Sequence, residues 1–313
     1  MPVKVHNRTI FWQQILQRWG LSGRRGVLTI IDEILNGVPV LLKMILNSWN
    51  KVIPVRCFTS AFEQTGGGIM YQRAADILRS AKRVTAFTGA GISVESGIPT
   101  FRGKSGLWNR YDPKFLDINY FLTFPDECWG RIKEIFYDFF GQAKPNAAHY
   151  ALHELEAMSL LDVVITQNID NLHQEAGNST VYEYHGTARF LVCMECGKKY
   201  HVSEVDLIKL PPCCISCGGI LKPDFVFFGE GIPEPASSMS ALEAEKSDVF
   251  LLIGTSGKVT PACYIPHMAK ENGARIIEIN TEASAYTHAI SDVFLKGRAT
   301  EVMEALMETL EGM

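Results

Sequence analysis

The stretch Val84-Thr-Ala-Phe-Thr-Gly-Ala-Gly91 limits the folds open to this chain more than any other. Val84–Thr88 is short, apolar and β-branched, the pattern of a buried parallel strand. It runs into Gly89-Ala90-Gly91 and then into small and hydroxylated residues that suit a helix start. A strand, a glycine turn and a helix N-terminus form an anion cradle, because glycine lets the backbone approach a phosphate and the first N–H groups point at it. A nucleotide pyrophosphate is the expected ligand, and a tight turn without one is the alternative. The dehydrogenase pattern G-x-G-x-x-G is not met, since Val94 takes the place of its third glycine.

The same punctuation recurs downstream. Leu161–Thr166, Val181–Tyr184, Asp248–Ile253 and Arg275–Asn280 read as further strands. Helical spacing predicts helices over 70–82 and 298–311, and Pro145-Asn146 caps another to about 160. Such alternation predicts an α/β fold with a doubly wound, Rossmann-like parallel sheet. Ligands bind at the carboxyl ends of such strands. There the chain places Gln167-Asn168-Ile169-Asp170, Gly254-Thr255-Ser256 and Asn280-Thr281-Glu282. Asn168 and Asp170 suit either a ribose or the cap of the next helix. About 104–145 is aromatic-rich, with Pro113 and Pro125 as breakers, and reads as a helical insertion.

Five of the eight cysteines lie between Cys193 and Cys217. Cys193-x-x-Cys196 and Cys214-x-x-Cys217 suit tetrahedral zinc. With sulfur at all four positions no site is left for water, so the metal is expected to be structural. Cys213 competes with Cys214 on spacing alone. The module spans about 190–220, and clustered thiols point to a reducing, cytoplasmic compartment. A hydrophobic fraction of 47% suits a packed core, and a net charge of −4 gives no reason to expect nucleic-acid binding.

Further motifs carry a family resemblance. Glu95-Ser-Gly-Ile-Pro-Thr-Phe-Arg-Gly103, Thr166-Gln-Asn-Ile-Asp-Asn-Leu-His173, Tyr184-His-Gly186, the two cysteine knuckles, Leu221-Lys-Pro-Asp-Phe-Val-Phe-Phe-Gly-Glu230 and Gly254-Thr-Ser256 together resemble the sirtuins, NAD-dependent protein deacylases, of bacterial type. The resemblance runs from about Met70 to the C-terminus. It implies NAD contacts at Gly89, Ala90, Gly91 and Ser93, at Thr100, Phe101, Arg102 and Trp108, and at Gln167, Asn168, Ile169 and Asp170. It implies others at Gly254, Thr255, Ser256, Asn280, Thr281 and Glu282. His185 becomes the catalytic base, with Asn168 and Asp170 orienting NAD. Val226, Phe227, Phe228, Gly229 and Glu230 become the peptide clamp, through backbone pairing and an apolar wall; a plain core strand is the alternative. Cys214 is favoured over Cys213. His173 is read as structural, and His149, His153, His201, His267 and His288 as core or surface residues.

The implied reaction consumes NAD and yields free lysine, nicotinamide and O-acyl-ADP-ribose. Mono-ADP-ribosyl transfer or NAD hydrolysis uses the same activation with another acceptor. The partner implied is an acyl-lysine protein or peptide, with no membrane association, and a monomer is expected. Relatives that prefer acidic acyl groups resemble one another in a Tyr-x-x-Arg pair, whose arginine suits a carboxylate. Here Tyr137 is followed by Phe140 at that spacing, and Phe136, Phe139 and Phe140 suggest an apolar pocket.

Residues 1–69 stand apart from the sirtuin-like domain at 70–313, with a net charge of +5 against −9. Val27–Trp49 is interrupted by Asp32, Glu33, Pro39 and Lys43, which argues against a membrane span. Trp12, Trp19 and many large aliphatics fit an organelle transit peptide poorly. Gly66-Gly67-Gly68-Ile69 precedes Met70, and glycine codons begin with GG as a bacterial ribosome-binding site does. Translation is therefore expected to start at Met70. Mass spectrometry of the native N-terminus should find no peptide from residues 1–69; any such peptide would end this reading.

Overall fold

The computed structural model describes residues 56–103 and 106–312, with side chains from residue 68 onward. The readings of Val27–Trp49 and of a separate segment up to about residue 55 lie outside the described residues. Residues 66–313 form one compact unit.

Six strands make the main sheet: β1 (Val84–Thr88), β2 (Val163–Thr166), β3 (Val181–Glu183), β7 (Val249–Ile253), β8 (Arg275–Asn280) and β9 (Val293–Lys296). Their order is β3-β2-β1-β7-β8-β9, and every pairing is parallel. The strands are near-continuous runs of Val, Ile, Leu and Phe because both faces are covered. Along β7, Val249, Leu251 and Ile253 enter one core while Phe250 and Leu252 enter the other, the period of two that a pleated strand imposes. On the first face lie the C-terminal part of α1 (Arg56–Ser80), α4 (Ala147–Ala157) and α8 (Ala299–Glu311), through Ala74, Leu78, Leu152, Leu155, Met303 and Leu306. On the second lie α6 (Ala236–Lys246) and α7 (Tyr264–Glu271), through Ala244, Ile265 and Ala269. This is the doubly wound sheet that the alternation of strands and helices predicts.

Boundaries shift in ways the side chains explain. The helix expected over 70–82 is the C-terminal part of α1. The helix after Pro145 starts at Ala147 with a capping box: Ala148 N–H donates to Asn146 Oδ1 (3.0 Å) and Asn146 N–H to His149 Nδ1 (3.3 Å). It ends at Ala157, because Ser159 turns into the left-handed region at φ 58°. The strand expected from Leu161 begins at Val163, since Asp162 uses its carboxylate on Val84 N–H (2.8 Å).

A second sheet, antiparallel, has the order β5-β4-β6, from β4 (Gly186–Cys193), β5 (Lys199–His201) and β6 (Leu221–Phe225). It shares a core with the insertion after β1. That insertion holds α2 (Ile118–Thr123), α3 (Pro125–Ile132) and a π-helical turn, Lys133–Phe139. Phe115, Phe121, Trp129, Ile132 and Phe136 pack against Leu191, Leu221, Phe225 and Phe227. Trp129 Nε1–H donates to Leu221 O (2.8 Å), satisfying the indole inside this core. Among the described residues no helix is long and apolar enough to cross a membrane.

The strand order reverses between β1 and β7, and there the two loops meet backbone to backbone. Gly89 N–H donates to Ile253 O (3.0 Å) and Gly91 N–H to Gly254 O (2.9 Å). A Cβ on Gly254 would lie 2.4 Å from Ile92 N, and its φ is +64°. Gly254→Ala should therefore cost about 2 kcal/mol or more, a fall in Tm of about 4–8 °C. Gly130→Ala, in open space within α3, should leave Tm unchanged or raise it slightly. Thermal unfolding of both variants checks this; equal melting temperatures would refute it.

Candidate active site

The β1 loop differs from the anion cradle that its glycines suggest. Ala90–Ser96 is a 3-10 helix rather than an α-helix, and the Gly89 and Gly91 amides are both spent on the β7 end and its loop. Those glycines are needed because a Cβ on Gly91 would meet Gly254 Cα at 2.5 Å. The β7 loop is pinned in turn. Gln167 Nε2–H donates to Thr255 Oγ1 (2.9 Å), and Asn280 Nδ2–H donates to Thr255 O (2.9 Å). Asn280 thus shapes the crevice through the neighbouring loop, whereas Ser256, Thr281 and Glu282 are exposed at its rim.

Beneath the crevice lies a buried polar network. Ser93, fully buried, donates from Oγ to Asp170 Oδ2 (2.7 Å) and accepts from Asn168 Nδ2 (3.2 Å). Asn168 also reaches Gly89 O (3.3 Å), and Asp170 Oδ1 accepts from Leu172 N–H (3.1 Å), capping α5 (Leu172–Ala176). Capping and site-building, separate alternatives in the sequence, are here one arrangement. Burial pushes the Asp170 carboxyl above its ordinary value, and the Ser93 and Leu172 donors act against that. Lower still, Thr88 Oγ1 donates to Thr166 Oγ1 (2.8 Å) and lies 2.9 Å from His173 Nε2. His173 is therefore structural, as its sequence suggests, and burial drives its basicity well down.

His149 is fully buried, a core residue as its sequence allows, and it lies beneath the site. Its Nε2 lies 3.5 Å from Ser93 Oγ, and burial lowers its pKa to about 4, so the ring is neutral beneath the site. The available signal was its place three residues after a helix-capping Asn146, which fixes the ring's direction.

His185 stands at the end of β3, just before Gly186 opens β4. Gly186 has φ +73°, and a Cβ there would lie 2.3 Å from Asp224 O. Any other residue would push β4 off β6 and carry His185 with it. The imidazole Nδ1–H donates to Gln167 O (3.0 Å), since a carbonyl only accepts. That fixes the tautomer and leaves Nε2 with its lone pair. Burial lowers the pKa, partly offset by the Gln167 carbonyl, so the ring is neutral at neutral pH.

Around the β1 loop's second half, Thr100 Oγ1–H donates to Arg102 O (2.7 Å) and Arg102 Nη1–H donates to Lys258 O (3.3 Å). Phe101 lies against Trp108 (ring centroids 5.2 Å apart) and Phe136 (6.5 Å). These aromatics join the crevice to the small core, which also holds Ile169 at its edge. The side chains gathered here fit a dinucleotide. Amides and a carboxylate suit ribose hydroxyls, and a guanidinium suits phosphate.

The segment Val226–Glu230 is only partly the open edge that its sequence suggests. Val226 N–H donates to His185 O (2.8 Å), Phe227 N–H to Glu230 Oε2 (2.7 Å) and Phe228 N–H to Leu116 O (2.8 Å). Phe227 is 1% exposed and belongs to the small core, so it is no wall for an acyl chain. Phe136, 3% exposed, is core as well. Phe228, 48% exposed, and Gly229 keep an outward face.

The sulfurs of Cys193, Cys196, Cys214 and Cys217 all lie within 4.8 Å of one another, with Cys193–Cys217 at 3.4 Å and Cys196–Cys214 at 3.7 Å. A tetrahedron with Zn–S of about 2.3 Å has edges of about 3.8 Å, so the four fit zinc. Cys213 faces away, its Sγ 3.6 Å from Pro211 O, which decides between it and Cys214. Tyr200 Oη lies 3.1 Å from Cys214 Sγ and pulls that thiol down to about 6.

Comparison with known proteins places this geometry. A model of the Sir2 family matches residues 89–261, more than half of the chain. A Pyrobaculum aerophilum protein named NAD-dependent protein deacylase 2 is 48% identical over 241 residues, covering 76% of this chain and 94% of that protein. A Pyrococcus furiosus protein named NAD-dependent protein deacylase is 45% identical over 251 residues, covering 77% and 98%. A solved structure described as Sir2-p53 peptide-NAD+ is 34% identical with a TM-score of 0.71, covering 77% of this chain and 97% of that one. The chain belongs to the Sir2 family, the sirtuins.

Proposed function

We propose that this chain removes acyl groups from protein lysines at the expense of NAD, with His185 as the general base. The supporting observation is the His185–Gln167 hydrogen bond, which holds a neutral imidazole with a free Nε2 on the loop that carries Asn168 and Asp170. NAD, when bound, supplies the anomeric carbon from which nicotinamide leaves. Asn168 and Asp170 hold the nicotinamide ribose, with Ser93 fixing both side chains. Arg102 takes phosphate. Thr255, Ser256, Thr281 and Glu282 serve the adenosine half. His185 Nε2 accepts a ribose hydroxyl proton, and the products are free lysine, nicotinamide and O-acyl-ADP-ribose. Four thiolates hold one zinc ion that supports shape and takes no part in the chemistry. Clustered thiols favour the cytoplasm. The protein acts as a monomer, and a functional domain that starts at about Met70 is in keeping with the 75–78% of the chain that its relatives cover.

The acyl group is expected to be uncharged. Of the insertion's cations, Lys133 pairs with Asp138 (2.6 Å) and Arg131 with Glu134 (3.0 Å), all at the surface. Tyr137 stacks on Trp129 at 6.1 Å, and its buried hydroxyl has no partner. No arginine stands three residues after it to receive a carboxylate.

Mass spectrometry of the protein with NAD and an acetyl-lysine peptide should show O-acetyl-ADP-ribose. His185→Ala should lower the rate by about 10²–10⁴-fold. Nicotinamide release with the peptide still acetylated would favour ADP-ribosyl transfer or NAD hydrolysis. Because the His185 pKa lies below about 6.5, activity should hold through neutral pH and fall only on acidification past that value. On matched peptides, kcat/KM should be larger for acetyl- than for succinyl-lysine; the reverse order would overturn the expectation of an uncharged acyl group.

A further inference from the structure

We infer that Lys222 is a positioning residue for the peptide substrate, its buried ammonium setting the shape of the Val226–Glu230 loop. The inference rests on the reading of that loop as the peptide clamp. Lys222 is the only cation in the apolar segment Leu221–Glu230 and is 4% exposed. Its ammonium has three N–H bonds, and each has a partner: Pro223 O (2.9 Å), Phe225 O (2.8 Å) and Glu230 Oε2 (3.0 Å). Nζ also stands 4.2 Å from the centroid of the Phe227 ring. The same Glu230 oxygen accepts Phe227 N–H at 2.7 Å. One cation therefore binds the strand end before the loop and the carboxylate that closes it, so the chain from Pro223 to Glu230 is folded around a single charge.

Stability does not account for such a residue. An ammonium buried beside the Phe227 ring loses its hydration, and a buried ion pair commonly gives back no more than that loss. A methionine would fill the same space without the cost. What the ammonium provides, and an apolar side chain cannot, is a fixed direction for three backbone and carboxylate oxygens. The loop so fixed turns Phe228 and Gly229 outward. It is also tied to the base, because Val226 N–H donates to His185 O (2.8 Å). Its contacts lie with the clamp rather than with the crevice residues that serve NAD, so the effect of losing it should be selective.

The test is steady-state kinetics on the full chain with NAD and an acetyl-lysine peptide, for Lys222→Met, Glu230→Gln and the double variant. Fluorescence anisotropy of the labelled peptide runs alongside. Lys222→Met should raise the peptide KM and weaken direct peptide binding by about tenfold, while the NAD KM stays within about twofold. Zinc content should stay at one ion per chain. Glu230→Gln should show a smaller shift of the same kind. The double variant should do no worse than Lys222→Met, since it leaves no unpaired buried carboxylate. An unchanged peptide affinity, or peptide and NAD constants rising together with a lower Tm, would overturn the inference. Should Lys222→Met fail to fold, Glu230→Gln must carry the selective loss, and its absence would be equally fatal. A wild-type protein that binds the peptide but leaves it acetylated would count against deacylation and leave the binding comparison to decide on Lys222.

Discussion

The contact on which the site depends is the one between two loop backbones where the strand order reverses. Gly89 and Gly91 from the β1 loop lie against Gly254 from the β7 loop, closer than any Cβ permits. A doubly wound sheet always leaves a crevice at that point, because successive crossovers depart in opposite directions. Here the glycines use that crevice first for packing. Their amides bond to the end of β7 and its loop, so the floor is rigid before any ligand arrives. Under the proposed function, ligand groups are then left to side chains standing on that floor: Asn168, Asp170, Thr255 and Arg102.

Those side chains are held by a layer that is polar yet buried. Thr88 bonds to Thr166 and His173, and Ser93 to Asp170 with His149 beside it, where an ordinary sheet would place valine or leucine. Partly satisfied polar layers are costly in a low-dielectric interior, so this one has value only if it fixes directions that an apolar layer could not. Asn168 and Asp170 are the beneficiaries: each is bonded to Ser93, and neither can turn without breaking a bond inside the protein. The same logic holds at His185, where one carbonyl decides which ring nitrogen is free.

Much of this was legible in the chain, and the remainder fails to be legible for stated reasons. Strand runs such as Val249–Ile253 and Arg275–Asn280 announce themselves, since burial on both faces demands unbroken apolar β-formers. Spacing alone identifies the zinc knuckles, but the choice between Cys213 and Cys214 needs the direction of two adjacent side chains, which alternate across a strand. Glycine motifs mislead more subtly: Gly-Ala-Gly looks the same whether a phosphate or another loop occupies the space. Phe227 and Phe136 read as walls of a pocket, yet tertiary packing drew both into the small core. Lys222 was silent because its partners lie on a loop whose shape follows only from the fold.

The cysteine cluster and His185, the proposed base, stand at opposite ends of the same two strands. Cys193 closes β4 and pairs with Leu221 at the start of β6, while Gly186 at the other end of β4 pairs with Phe225 at the end of β6. β4 bulges between Gly186 and Leu191, so its eight residues cover the same interval as the five of β6, about 13 Å, and the cysteines and His185 stand at opposite ends of one irregular ladder. Four thiolates fix the register at one end. At the other, past the bulge, the Gly186–Phe225 pair sets where His185 leaves the sheet and where Val226 begins the proposed clamp. Edge strands and short antiparallel ribbons slip easily unless something pins them. A closed tetrahedral metal is well suited to the task, because it tolerates no shift of one residue. On this view zinc acts on catalysis only through geometry. Lys222, on β6 between the metal and the loop, carries the same constraint across the last few residues.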